Sequence, residues 1–84
     1  MQSKRRKALD ALFTDPINGN LAWHRIEALL VAVGCRVIEG PGSAVTFEKD
    51  GQRANFHRPH PRQEALRYRI KDVREYLLKL GISP

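Results

Sequence analysis

His57 and His60 bracket Arg58-Pro59 in the stretch Phe56-His57-Arg58-Pro59-His60-Pro61. Imidazoles change charge near neutral pH, so they are the side chains best suited to moving protons there. One neutral imidazole could take the proton of an RNA 2′-hydroxyl, and a second, protonated, could assist the leaving oxygen. Arg58 could stabilise charge building on the phosphorus-bound oxygens. The same residues also fit a proline-stiffened loop with incidental polar groups, and spacing does not decide between the two. His24 follows Trp23 and falls off the apolar stripe of its segment, so it reads as a surface residue.

Other chemistries fit less well. His-x-x-His can ligate zinc, but a closed site wants four ligands. Cys35 is the one cysteine and no acidic residue sits close to the histidine pair, so no metal is expected. Gly40-Pro41-Gly42 lacks the lysine and following helix of a phosphate-binding loop, and no cofactor is expected. A lone cysteine excludes an internal disulfide and reads as a small buried residue.

The chain has 84 residues with fifteen Lys and Arg against nine Asp and Glu, a net charge of +6. One domain spanning 1–84 is expected, and a domain this basic usually meets a polyanion. Arg53, Arg62, Arg67 and Arg69 fall within one short span around the histidines and are candidate phosphate contacts. A solvated helix face is the plainer account of some of them. Tyr68 and Tyr76 are the aromatics that could be exposed, whereas Trp23, Phe13, Phe47 and Phe56 read as core. No run approaches the ~20 apolar residues of a membrane span, and no targeting segment is recognised, so a cytoplasmic protein is expected.

Positioning these groups requires six elements. Ser3 can cap a first helix running to about Thr14, stopped by Asp15-Pro16. Asn20 can cap a second, about Leu21 to Val33, whose stripe is Trp23, Ile26, Leu29, Leu30 and Val33, with Gly34 at its C-terminal cap. Strands follow at Arg36 to Glu39, Ala44 to Lys49 and Gln52 to His57. The last two are joined by a type I′ hairpin at Asp50-Gly51, with Val45, Phe47, Ala54 and Phe56 inward. A last helix, about Glu64 to Leu80, carries Leu66, Ile70, Val73, Leu77 and Leu80. The order α-α-β-β-β-α predicts an α+β fold, a three-stranded antiparallel meander covered on one face by helices.

Together these segments resemble the HicA family of toxins. The resemblance rests on Lys7-Ala-Leu-Asp-Ala-Leu-Phe-Thr-Asp-Pro16, Trp23-His-Arg-Ile-Glu-Ala-Leu-Leu30, Gly34 and Glu39-Gly-Pro-Gly-Ser43. It continues through Phe56-His-Arg-Pro-His-Pro61 and Ile70-Lys-Asp-Val-Arg-Glu-Tyr-Leu77. It implies a fold like double-stranded RNA-binding domains, metal-independent cleavage of messenger RNA, and a HicB antitoxin that covers the active site. Ser43 is a further candidate RNA-contacting residue. Typical members carry their catalytic histidine directly after Gly-Ser, where this chain has Ala44. Either the chain represents a branch with different chemistry or Ala44 is an engineered replacement. On the first account His57 or His60 must supply the acid–base function, or the chain is an inactive, RNA-binding or regulatory relative.

Overall fold

The computed structural model describes residues 2–17, 21–59 and 67–84. The elements are α1 (Gln2–Leu12), α2 (Trp23–Ala32), β1 (Arg36–Glu39), β2 (Ala44–Lys49), β3 (Gln52–His57) and α3 (Arg67–Lys79). The order is the expected α-α-β-β-β-α, and the sheet is the expected antiparallel meander β1-β2-β3. The last two strands turn at Asp50 and Gly51, both at positive φ (53° and 80°), as a type I′ hairpin demands.

Strand alternation sorts the side chains onto two faces. Val45, Phe47 and Phe56 are buried on one face, with Val37 and Ala54 packed against them. On the other face the cross-strand rows are Arg36–Glu48–Arg53, Ile38–Thr46–Asn55 and Ala44–His57. The buried face meets the helices through Trp23, whose ring lies edge-on to Phe56 at 5.6 Å, and through Tyr76, whose hydroxyl donates to the carbonyls of Phe47 and Gln52. One core runs through all of these elements, from Leu9 and Leu12 of α1 to Ile70, Val73 and Leu77 of α3.

The stripe expected on α2 is buried in full, yet the helix starts two residues late. Ala22 is its N-cap, in extended conformation and without a side-chain hydrogen bond, while Leu21 is used as an extended anchor buried in the core. The expected cap Asn20 lies outside the described residues. Similarly, Ser3 sits inside α1 rather than at its cap, and α1 ends at Leu12, short of Thr14. Arg74 of α3 caps that end: its guanidinium donates to the carbonyls of Leu12 and Thr14 and to Asp15 Oδ1, and the Leu12 carbonyl would otherwise face Pro16, which has no N–H to offer. The C-termini behave as expected. Gly34 and Gly81 adopt φ of 108° and 79°, and the amides of Cys35 and Ile82 reach back to the carbonyls of Leu30 and Leu77 at 2.9 Å. That is the Schellman closure, which requires a residue free to enter the left-handed region. The described part of the last helix begins at Arg67, and the expected start at Glu64 and the stripe residue Leu66 lie outside the described residues.

Candidate functional site

The open end of the β2–β3 pair carries the histidine chemistry. His57 is the last residue of β3, and its Cα partner on β2 is Ala44. The amide of Arg58 donates to the Ser43 carbonyl at 2.9 Å, one residue beyond that pair. Ala44 and His57 are therefore a non-hydrogen-bonded pair, the kind whose Cα atoms stand about 4.5 Å apart and whose side chains are closest. Gly40 completes the tight packing behind them, since a Cβ there would come within 3.0 Å of the Ala44 Cβ.

His57 is exposed, and its Nδ1 lies 3.4 Å from Ser43 Oγ. That contact is long for a hydrogen bond, so it orients the ring without immobilising it. It leaves Nε2 as the nitrogen available to a substrate. The carbonyl of His57 accepts a hydrogen bond from Arg69 on the first turn of α3, which fixes the strand end to that helix. Ser43, Ala44, His57 and Arg69 are thus brought together. His60 and Arg62 lie outside the described residues.

Arg58 has a different place from the one expected. Its Nε donates to Glu27 Oε2 at 2.7 Å and its Nη1 to Glu39 Oε1 at 2.7 Å, while Nη2 serves both carboxylates. Glu27 also accepts the indole N–H of Trp23. Two carboxylates therefore neutralise the guanidinium and direct its donors toward α2 and β1. Hydrogen bonding to Glu39 and then Glu27 raises the Arg58 pKa still further, and the hydrogen bond from Arg58 lowers that of Glu39. A guanidinium this committed is a brace between three elements.

Among the described residues, Arg53 stands apart from Arg67 and Arg69. Arg53 is exposed at the hairpin end of β3, four residues from His57, which is roughly 13 Å along a strand. Arg67 is exposed and Arg69 half-buried at the start of α3, on the His57 side. Tyr76 is buried at 4% exposure, a correction to the expectation that it could be exposed; its spacing from Ile70 and Val73 already puts it on the α3 stripe. Tyr68 is exposed.

Beside the strand end opens a groove of 720 Å³, lined by Trp23, His24, Glu27, Gly42, Ser43, Arg58 and Pro59. His24 is thus a groove wall as well as a surface residue. Glu27 and Glu39, which organise this region, were not singled out from sequence. Nothing local marks a glutamate beside an apolar stripe as the partner of an arginine 31 residues away. Among the described residues, no three His, Cys, Asp or Glu side chains converge as a metal site, and no helix is long and apolar enough to cross a membrane.

The family model described as the HicA toxin of bacterial toxin–antitoxin systems matches residues 23–82. The match runs from the tryptophan of α2 past the end of α3 and leaves α1 outside it. No curated protein and no solved structure gives a significant match. A match over most of the chain, on a fold with the expected order and topology, shows that the chain belongs to the HicA toxin family of bacterial toxin–antitoxin systems.

Proposed function

We propose that this chain is a metal-independent endoribonuclease that cleaves messenger RNA, with His57 as its acid–base residue. The observation that carries the reading is the register of β2 and β3. His57 stands directly across from Ala44, the position at which the family resemblance expects the catalytic histidine. An imidazole on the partner strand of a non-hydrogen-bonded pair serves nearly the same volume as one at position 44.

In this reading His57 Nε2 accepts the 2′-hydroxyl proton. The 2′-oxygen then attacks phosphorus and the bond to the 5′-oxygen breaks. The leaving oxygen takes up a proton, from His60 or from water. The products are a 2′,3′-cyclic phosphate and a 5′-hydroxyl end. Ser43 orients the ring, Arg69 holds the strand end beside the phosphates, and Arg58 is a positioning residue.

The test is incubation of purified protein with RNA in the presence of a chelator. Cleavage to 5′-hydroxyl ends is expected, reduced at least a hundredfold by His57→Ala, as for loss of a general acid–base. Ala44→His adds an imidazole beside His57 and should raise the rate. Undiminished cleavage by His57→Ala would overturn the assignment.

The neutralised Arg58 and the alanine at 44 favour one second reading, a non-catalytic RNA-binding or regulatory domain. Intact RNA with a salt-sensitive gel shift would establish it. In either reading we propose a HicB-type antitoxin as the partner, covering the uncovered sheet face that carries Arg53 and His57.

A further inference from the structure

We propose that Tyr68 is a nucleobase-stacking residue for single-stranded RNA, held beside His57 by Arg69. The proposal rests on the RNA-directed reading above and names the form of RNA it takes. Of the six aromatic residues, Trp23, Phe47, Phe56 and Tyr76 are buried and Phe13 packs against the core. Tyr68 is 59% exposed. It lies on the side of α3 opposite Ile70, Val73 and Leu77, so its ring contributes little to folding.

The ring is nevertheless held in place. The Arg69 guanidinium carbon sits 5.6 Å from the Tyr68 ring centroid, within cation–π range. The same guanidinium donates to the carbonyl of His57. A single planar cation thus separates the ring from the strand end where the acid–base residue sits. Arg67 and Lys71, both exposed, flank the ring along α3.

An acidic protein surface would need only the cations, and a duplex keeps its bases stacked out of reach. An unpaired nucleotide needs both features at once, a π-face for the base and fixed cations for the phosphates on either side. Arg69 lies over the Tyr68 ring, and the 59% exposure of the residue leaves ring surface for a base.

The experiment measures affinity for a fluorescent 2′-O-methyl single-stranded oligonucleotide, which lacks the 2′-hydroxyl and cannot be cleaved. Wild type, Tyr68→Phe and Tyr68→Ala are compared at several salt concentrations, with a duplex of the same sequence alongside. Tyr68→Ala is expected to weaken single-strand binding about tenfold. Tyr68→Phe should stay within about twofold of wild type, with an unchanged salt slope, because the loss is stacking and not charge. Duplex affinity should not change, and an unchanged melting temperature shows that folding is intact.

Wild-type affinity in Tyr68→Ala overturns the proposal and leaves the nuclease reading, judged by cleavage, untouched. Unchanged RNA affinity with a weakened antitoxin complex also overturns it, making the ring a protein contact. Absence of any wild-type binding to single-stranded RNA would remove the proposal and the RNA-directed reading together.

Discussion

The side chains of Glu27 and Glu39 are 20% and 66% exposed, yet both hold the same guanidinium, that of Arg58. The difference in burial predicts which of them matters. Glu27 accepts from both Trp23 and Arg58 in a half-buried setting, so its truncation leaves two donors short of an acceptor. Glu39 is a surface partner, and surface pairs contribute little. Glu27→Ala should cost about 1–2 kcal/mol in urea unfolding, and Glu39→Ala clearly less. The reverse order would show that Arg58 is held mainly from β1. Because Glu39 has a lowered pKa, its share is present above the ordinary carboxylate range and is lost as the pH falls through the lowered value. The candidate nucleophile activator was legible from sequence as one of a histidine pair. The brace was not, because its carboxylates lie on α2 and β1, far from Arg58 along the chain.

Among the elements, α3 is the one that ties the others together. Arg74 holds the end of α1, Arg69 holds the end of β3, and Tyr76 holds the hairpin. Tyr76 also contacts the thiol of Cys35 at 3.9 Å. Burial, then the neighbouring Cys35, pushes the Tyr76 hydroxyl well above its ordinary pKa. Burial likewise raises the Cys35 thiol. Both groups are raised in the folded state, so their contribution is complete below the unfolded values, about 8.5 for Cys and 10 for Tyr. It is lost as the pH rises from there through the raised folded values. Stability should therefore be insensitive to these groups at neutral pH and fall above about pH 9. Tyr76→Phe should be less stable at pH 7, since two carbonyls lose a donor, and should lack the part of the decline that begins near pH 10. An identical alkaline profile in wild type and Tyr76→Phe would show that the hydroxyl is not the group responsible. Element types and order were readable because each apolar stripe has its own period. The start of α2 was misplaced because a core anchor at Leu21, and not a capping side chain, sets where that helix begins.

At the scale of the whole molecule, the candidate phosphate-contacting arginines among the described residues fall in two regions and not in one patch. Arg53 sits on the uncovered sheet face near the hairpin, while Arg67 and Arg69 sit at the start of α3. An antitoxin that covers the sheet face should therefore feel Arg53 more than RNA cleavage does. Arg53→Glu should slow antitoxin association and weaken the complex, with the defect shrinking at high salt. It should change cleavage of a short RNA by less than about threefold, since it stands a strand-length from His57. Unchanged antitoxin affinity would remove the sheet face from that interface. By itself, the sequence determined the class of the fold, its hairpin, most of its core and the histidine worth testing. These follow from local periodicity, turn chemistry and residue type, which neighbours along the chain specify. Only the tertiary structure decided that Arg58 is neutralised from two other elements and that Arg69 ties the start of α3 to the end of β3. Each of those depends on packing between segments 12 to 31 residues apart, which no local pattern encodes.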